Sequence, residues 1–234
     1  MKNNIKAVFI DIDNTILSFD DYVRETMRNG FKKFGLREYE GWMFGVFLGI
    51  NSKLWRQIET KEITFNELQK IRWNTVFEKL DIDFDGIKFE KYFRECLRDS
   101  AIPVNGAYEM LGYLSDRYIL CAASNGPLEQ QINRLKVGNM LDCFTAVYVS
   151  EGVGASKPSE KFFSYALEDL RKKTGEEILP EEIVIIGDSI TADIVGGARF
   201  GMKTCWYNRH KAQLPKKVEP DYVIEKLTDV AKIL

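Results

Sequence analysis

Apolar residues change their spacing along this chain. Residues 6–13 read Lys-Ala-Val-Phe-Ile-Asp-Ile-Asp, a short continuous apolar run that ends in two carboxylates. Such a run is typical of a strand buried on both faces of a parallel sheet. Between residues 18 and 99 the apolar positions recur with helical spacing, and the pattern predicts helices at 20–34, 40–58, 64–80 and 87–98. The chain therefore begins with a strand and continues into a helical insert.

Beyond residue 100, short apolar segments alternate with helical patterns. The predicted strands are 118–123, 144–149, 183–186 and 204–207, with an edge strand at 222–224, and the predicted helices are 103–115, 127–136, 159–173 and 194–200. Strands separated by helices are joined by right-handed crossovers and form a parallel sheet. Residues 1–17 and 100–234 are therefore expected to form one α/β domain, and residues 18–99 a second, helical one.

Two local motifs refine this outline. Thr64-Phe-Asn-Glu67 matches a capping box and predicts a helix start at Thr64. The glycine-containing stretch 152–158 lacks the last glycine of a dinucleotide fingerprint and the Gly-Lys-Ser/Thr of a P-loop. This stretch is instead predicted to be a flexible loop that carries Lys157.

Composition narrows the possible functions. The 234 residues are 45% hydrophobic and 29% charged, and 33 basic against 35 acidic residues give a formal net charge of -2. No global field favours nucleic acid or an anionic membrane. No apolar segment approaches the roughly 20 residues of a membrane span, and the start of the sequence shows no signal-peptide pattern. We therefore expect a cytoplasmic protein without a nucleic-acid or membrane partner.

Histidine and cysteine usage excludes several chemistries. His210 is the only histidine, which argues against Ser-His-Asp hydrolysis and histidine-ligated zinc. The four cysteines form no Cys-x-x-Cys pair, so neither a zinc knuckle nor a disulfide framework is indicated. Acid–base work therefore falls to carboxylates or lysine.

Polar residues follow several of the predicted strands. Asp11 and Asp13 follow the first strand, and Ser124, Lys157 and Asp188 follow later strands or lie in the next loop. A lone Asp-x-Asp is by default a solvated turn, but parallel strands bring these residues to one edge of the sheet. Carboxylates suit Mg²⁺, while a hydroxyl and an ammonium suit phosphate oxygens. The set predicts a phosphate and magnesium site.

Four motifs in this order resemble the haloacid dehalogenase superfamily of phosphotransferases. They are Asp-x-Asp-x-Thr at 11–15, Ser-Asn at 124–125, Lys-Pro at 157–158 and Gly-Asp-Ser-x-x-x-Asp at 187–193. The resemblance spans the whole chain. It implies a Rossmann-like α/β catalytic core with a parallel sheet (residues 1–17 and 100–234). The insert at 18–99 resembles the α-helical cap domain of the superfamily's first subclass.

The resemblance also implies a role for each motif residue. Asp11 would be the nucleophile that forms an aspartyl-phosphate. Asp13 would be the acid–base residue and would lend its backbone carbonyl to Mg²⁺, and an acid at this position argues against the dehalogenase branch. Thr15, Ser124 and Asn125 would hold the phosphoryl group, Lys157 would neutralise its charge, and Asp188 with Asp193 would hold the metal or its waters.

The substrate depends on the cap. Residues 51–59, followed by 62–64 and by Leu68-x-x-x-Arg72, look similar to bacterial pyrimidine 5′-nucleotidases. The expected substrate is a small phosphorylated metabolite, a nucleoside 5′-monophosphate with a pyrimidine base favoured. Trp55 and Phe47 are candidates for stacking on the base. The alternative is that this stretch has only a structural role, as an amphipathic helix.

Two other functions stay open at this point. A sugar-phosphate or phosphoglycolate phosphatase would share the same catalytic core. A non-catalytic protein that senses a phosphorylated metabolite or binds a partner would retain the pocket, although the intact set of Asp11, Asp13, Lys157 and Asp188 disfavours it. The sequence leaves the oligomeric state open.

Overall fold

The computed structural model describes residues 4–234 and divides into two compact units. One comprises the chain up to Ser18 together with Ala101–Leu234, and we call it the core unit. The other, Phe19–Ser100, we call the helical unit. The helical segment is thus inserted between the first strand of the core unit and the rest of it.

The helical unit contains four helices that pack around aromatic side chains. They are α1 (Phe19–Lys33), α2 (Met43–Glu59), α3 (Phe65–Leu80) and α4 (Gly86–Arg98). Thr64 Oγ1 accepts a hydrogen bond from Glu67 N at 3.2 Å, and Thr64 N donates to a Glu67 carboxylate oxygen at 2.7 Å. The predicted capping box is confirmed. Large rings supply the buried volume that a small helical unit needs, as Trp73 packed on Phe89 shows.

A buried ion pair joins two of these helices. Arg72 of α3 donates to both carboxylate oxygens of Glu90 of α4, at 3.1 and 2.6 Å, and also donates to Asn51 Oδ1 at 3.0 Å. All three side chains are buried. Arg72 also lies over the ring of Phe93, 4.7 Å from its centroid. Arg72 is therefore engaged inside the helical unit by a carboxylate, an amide and an aromatic face.

The core unit is built on six parallel strands. They are β1 (Ala7–Ile10), β2 (Ile119–Ser124), β3 (Ala146–Val149), β4 (Ile183–Gly187), β5 (Lys203–Tyr207) and β6 (Tyr222–Ile224). Their order in the sheet is β3-β2-β1-β4-β5-β6. Val8 of β1 is in register with Leu120 of β2 on one side and Val184 of β4 on the other. β2 and β3 lie on one side of β1, and β4, β5 and β6 lie on the other. In parallel sheets ligands bind at such a switch point, at the carboxyl ends of the strands.

Helices cover both faces of this sheet. The helices of the core unit are α5 (Ala107–Ser115), α6 (Leu128–Val137), α7 (Ser150–Val153), α8 (Glu160–Thr174) and α9 (Gly196–Phe200). Val8 and Ile10 pack in one apolar layer with α5, and Ala7 and Phe9 pack in the other with α8. Burial of both faces explains why β1 is continuously apolar rather than alternating. The predicted α/β fold with a parallel, Rossmann-like sheet and a helical insert is confirmed.

Three sequence predictions need correction. The helix expected at 103–115 begins at Ala107, because Pro103 forms an antiparallel bridge with Leu17. The bridge is flanked by hydrogen bonds from Ser18 N to Ile102 O at 2.7 Å and from Val104 N to Ile16 O at 3.0 Å. The loop expected at 152–158 begins inside α7. The helix expected at 194–200 starts earlier, with a wide π-helical turn over Ile190–Val195.

Among residues 4–234, no helix has both the length and the apolar character needed to cross a membrane. All four cysteines are free thiols, and Cys121 and Cys205 are buried.

Candidate active site

Asp11 lies at the exit of β1, where a tight turn shapes the start of the site. Asp11 N donates to Ile186 O at 2.9 Å and so extends the pairing with β4. Asn14 then adopts a positive φ of 63°, and Ile12 O accepts from the backbone nitrogens of the following residues. This turn brings Thr15 back toward the strand, and its hydroxyl donates to Asp11 Oδ2 at 3.0 Å. The turn therefore fixes the orientation of the Asp11 carboxylate.

Lys157 brings a buried positive charge to Asp11. Its Nζ donates to Asp11 Oδ1 at 2.8 Å, to Asp193 Oδ1 at 2.6 Å and to Ala123 O at 2.5 Å, so each of its three protons has an acceptor. The side chain is 1% exposed. The Asn125 side chain holds the backbone of Lys157, because Oδ1 accepts from Lys157 N and Nδ2 donates to Lys157 O, both at 2.9 Å. Lys157 is therefore fixed at its backbone and at its charged end.

Asp188 and Asp193 follow β4. Asp193 is fully buried, and its Oδ2 accepts from Ser189 N at 3.1 Å. A Cβ at Gly187 would lie 2.1 Å from Asp193 Oδ2, so the approach of this carboxylate requires glycine there. Asp188 remains partly exposed, with Oδ2 3.9 Å from Arg209 Nε. Of the two carboxylates, Asp188 is the one that is open to a ligand.

Burial changes the protonation equilibria of this cluster. Burial raises the pKa of Asp11 to about 7, against the opposing attraction of Lys157. Burial also raises the pKa of Asp188 well above its usual value, and the charges of Asp11 and Asp193 add to the effect. For Lys157, burial disfavours the ammonium, but Asp11 and Asp193 outweigh it and raise the pKa. The single ammonium of Lys157 therefore does not neutralise the combined negative charge of Asp11, Asp188 and Asp193.

The donor set fits a hard divalent cation. Asp11, Asp188 and Asp193 each offer a carboxylate oxygen, and these oxygens all lie within 4.8 Å of one another. Oxygen ligands with excess negative charge are what Mg²⁺ prefers. Asp193 is completely buried and both of its oxygens accept bonds from protein donors, which suits it to hold metal-bound water rather than the ion itself. Both oxygens of Asp11 also accept bonds, but Asp11 is not completely buried, so with the partly exposed Asp188 it is better placed for direct contact.

Asp13 faces a different set of partners on α6. Arg134 Nη1 donates to Asp13 Oδ1 at 2.5 Å, and Gln131 Nε2 donates to Asp13 Oδ2 at 2.6 Å. Both α6 residues are fully buried, whereas the Asp13 side chain is 32% exposed. The sequence analysis did not single out Gln131 or Arg134. Gln131 and Arg134 lie on the same buried face of α6 as Leu135. Helical spacing predicts apolar residues on such a face, so two polar residues there were the signal that could have identified them.

Ser124 lies at the end of β2 with its hydroxyl held by two donors. Ser124 Oγ accepts from Gly126 N at 3.1 Å and from Gln131 Nε2 at 2.8 Å. A serine hydroxyl has two lone pairs and one proton, so the proton is left to donate to a bound ligand. The side chain of Asn125, by contrast, is occupied by the backbone of Lys157, which leaves its backbone N–H for any ligand contact.

The site residues predicted from the sequence thus fall into two connected groups. Hydrogen bonds join Thr15, Asp11, Lys157, Asp193 and Asn125, and the Asp188 carboxylate lies beside this group. A second network joins Asp13 to Ser124 through Gln131. Of the two aromatic candidates in the helical unit, Phe47 is a buried core residue packed against Trp73. Trp55 is only half-buried.

This fold, together with the carboxylates, lysine and serine of the site, indicates a hydrolase, and comparison with known families identifies which one. The chain belongs to the haloacid dehalogenase-like hydrolases, whose family model matches residues 5–201. The predicted family is confirmed.

Several relatives match over nearly the whole chain. YfnB of Bacillus subtilis (strain 168), named as a HAD-hydrolase, is 29% identical over 229 residues, 98% of this chain and 95% of that protein. PynA of Streptococcus pneumoniae (strain ATCC BAA-255 / R6) is 29% identical over 233 residues, 98% of this chain and 94% of that protein. YjjG of Escherichia coli (strain K12) is 26% identical over 227 residues, 97% of this chain and 96% of that protein. PynA and YjjG are both named pyrimidine 5′-nucleotidases.

A solved structure supports the same relationship. The crystal structure of YfnB, described as bound to magnesium, superposes with a TM-score of 0.89 at 29% identity and covers 98% of both chains. The shared fold therefore extends over both units of this chain.

Proposed function

We propose that this protein is a Mg²⁺-dependent phosphomonoesterase that hydrolyses nucleoside 5′-monophosphates, with pyrimidine nucleotides favoured, through an aspartyl-phosphate on Asp11. The observation that carries the proposal is the buried Lys157 ammonium, which joins Asp11 to Asp193 beside the partly exposed Asp188. A fixed carboxylate beside a cation and a metal-ligating set is what phosphoryl transfer to a carboxylate requires. The core unit carries the chemistry, and the helical unit acts as a cap that selects the substrate.

In this proposal Asp11 and Asp188 would hold the metal directly, the backbone carbonyl of Asp13 would be a further ligand, and Asp193 would hold its waters. When bound, Mg²⁺ supplies charge that favours the ionised carboxylates and polarises a phosphate oxygen. Magnesium in the YfnB crystal and the excess negative charge of this cluster both support that assignment.

The side chains of the core unit divide the reaction into two displacements. Asp11 Oδ attacks phosphorus, a new O–P bond forms, and the bond from phosphorus to the ester oxygen breaks as Asp13 gives that oxygen a proton. Asp13 then takes a proton from water, the water oxygen attacks phosphorus, and the Asp11–phosphorus bond breaks. Lys157, the Ser124 hydroxyl and the backbone N–H of Asn125 offset charge on the transferring group, which usually gives the largest share of the acceleration.

Two observations support a nucleotide substrate. PynA and YjjG are named pyrimidine 5′-nucleotidases and align over at least 97% of this chain, so the similarity includes the helical unit. Trp55 of α2 retains exposed surface and packs against Phe65 with ring centroids 5.8 Å apart, which limits its motion. Stacking of a base on an aromatic ring is worth about 1–3 kcal/mol, enough for roughly tenfold selectivity.

Phosphate release from a panel of monophosphates tests the proposal. With Mg²⁺, UMP, dUMP and dTMP should have higher kcat/KM than hexose phosphates or phosphoglycolate, and a chelator should abolish turnover of all of them. Asp11→Asn is the control for the active site: it should remain folded but be inactive, because the amide removes both the nucleophile and its charge. A preference for phosphoglycolate would support a sugar-phosphatase function instead. No turnover of any monoester would support a non-catalytic, phosphometabolite-binding protein.

A further inference from the structure

The buried face of α6 carries two polar residues that the reaction scheme above does not use. Gln131 and Arg134 lie one helical turn apart and are fully buried. Arg134 Nη1 donates to one carboxylate oxygen of Asp13 at 2.5 Å, and Gln131 Nε2 donates to the other at 2.6 Å. Each oxygen of Asp13 therefore has its own donor, and the carboxylate cannot rotate without breaking a hydrogen bond.

Gln131 also connects Asp13 to Ser124. Its Nε2 donates a second hydrogen bond to Ser124 Oγ at 2.8 Å, and its Oε1 accepts from Arg134 Nη1 at 2.9 Å. Both amide protons and the amide oxygen are thus used. The opposite amide orientation would place an oxygen against the Asp13 carboxylate, so the surrounding donors and acceptors fix this one.

The backbone beside Ser124 leaves space for this amide. A Cβ on Gly126 would lie 2.5 Å from Gln131 Nε2, 2.9 Å from Cδ and 3.1 Å from Cγ, and these are its three nearest atoms. The atoms that an alanine methyl group would displace first are therefore at the flexible end of the Gln131 side chain and not in the backbone. Gly126→Ala is a way to move the amide without deleting it.

We propose that Gln131 is a positioning residue of the reaction, which orients the Asp13 carboxylate for proton transfer and, through the same amide, keeps the Ser124 proton available to the phosphoryl group. Arg134 holds both Gln131 and Asp13 in place. Each carboxylate oxygen has a second lone pair, so Asp13 can face the leaving group while these bonds persist. The inference rests on the proposed function, because Asp13 is the acid–base residue there.

The first experiment compares leaving groups in Gln131→Met, which keeps the volume of the side chain and removes its donors. An acid placed about 1 Å from its productive position can lose about 100-fold in rate. We expect kcat/KM for an alkyl phosphate to fall at least about tenfold. The value for p-nitrophenyl phosphate should change by less than about threefold, because that leaving group scarcely needs a proton. Gln130→Met makes the same change at the preceding, half-buried position and should behave as the wild type.

The second experiment tests whether Gly126 acts through Gln131. Gly126→Ala should reduce kcat/KM for the alkyl phosphate in the wild-type background. It should cause no further reduction in Gln131→Ala, where the displaced amide is absent. Additive losses in this double-mutant cycle would overturn the proposed path through Gln131.

The third experiment uses conservative replacement of Arg134. Arg134→Lys keeps a positive charge near Asp13 and should retain more alkyl-phosphate activity than Arg134→Met, with Lys136→Met on the exposed face of α6 as the control. Equal slowing of alkyl and aryl phosphates in Gln131→Met would assign it a purely structural role and overturn the inference, although wild-type turnover would still support the proposed function. A wild-type protein without turnover of either ester would overturn both.

Discussion

Lys157 Nζ lies 2.8 Å from Asp11 Oδ1, although 146 positions separate the two residues in the chain. The contact forms because β1 and β2 are neighbours in the sheet and because Asn125, just after β2, pairs with the backbone of Lys157. The ammonium also reaches Ala123 O and Asp193, so three separate parts of the core unit converge on one nitrogen. A group held in this way can offset charge without reorganising during the reaction.

Replacement of Lys157 should therefore abolish most activity. We expect Lys157→Met to lower kcat by about 100- to 1000-fold, the usual cost of losing one fixed electrostatic contact. Lys157→Arg should not restore it, because a planar guanidinium cannot meet three acceptors arranged around a compact ammonium. The measurement is phosphate release at saturating Mg²⁺, with circular dichroism to establish that each variant is folded. Near-wild-type activity in the arginine variant would show that charge alone is sufficient.

Loss of Asp13 should separate the two displacements. Asp13→Ala given p-nitrophenyl phosphate should phosphorylate Asp11 faster than it releases phosphate, because the second displacement lacks its base. Rapid quenching should show a burst of nitrophenol and a covalent adduct on Asp11, and alkyl phosphates should be slowed far more than aryl ones. Equal slowing of both esters without a burst would restrict Asp13 to a role at the metal.

The Arg72–Glu90 pair should matter for stability rather than for direct substrate contact. Removal of one partner from a buried pair costs about 3–5 kcal/mol, because the other charge remains buried. We expect urea unfolding to show this loss for Arg72→Met and a smaller loss for the double variant Arg72→Met with Glu90→Met. Arg94→Met, which removes an exposed hydrogen bond to Gln69, is the matched control. Full stability of Arg72→Met with a raised KM would instead indicate that Arg72 contacts the substrate.

Asp221 should give the protein a defined pH dependence at the outer edge of the sheet. Burial would raise its pKa, but hydrogen bonds from Lys203 Nζ at 2.8 Å and from Thr204 N at 2.9 Å outweigh burial and lower it. A carboxyl whose pKa is lower in the folded state stabilises the protein above its unfolded pKa of about 3.9, and this contribution is lost as the pH falls through the folded value.

Asp221→Asn should therefore cost about 1 kcal/mol of unfolding free energy at pH 7. The difference from the wild type should shrink as the pH falls below about 4, because the Asp221 carboxyl is protonated first in the unfolded chain and then, at lower pH, in the folded protein. Urea unfolding at several pH values measures this, with Asp116→Asn at an exposed helix end as the control. A cost that does not change with pH would assign the effect to shape rather than to charge.

Several of the site residues that sequence reasoning recovered lie next to strand ends. Asp11, Ser124 and Asp188 follow runs of buried apolar residues, so the topology of a parallel sheet is enough to bring them to one edge. The strands themselves were predicted within about two residues for the same reason, because burial on both faces leaves a continuous apolar run. The local pattern of apolar and polar residues was therefore sufficient to predict most of the fold.

The parts that were missed depend on contacts between distant segments. Gln131 and Arg134 occur inside a helix, where both residue types are also common on exposed faces, and only the position of Asp13 shows why they are buried. Pro103 was assigned to a helix because proline is frequent in the first turn, but its bridge to Leu17 holds the chain extended. Phe47 was a stacking candidate by residue type, and only packing shows it to be a core residue.

The bridge between Leu17 and Pro103 has a consequence for how proteins of this kind diversify. It closes the core unit behind the inserted segment, so both ends of residues 19–100 leave from neighbouring, antiparallel backbones. A gap between such backbones can be spanned by a tight turn of about two to five residues. An entire helical insert can therefore be gained, lost or exchanged at one position of the gene while the catalytic edge of the sheet stays intact. Under the proposed function, substrate selectivity and catalysis could therefore change independently of each other.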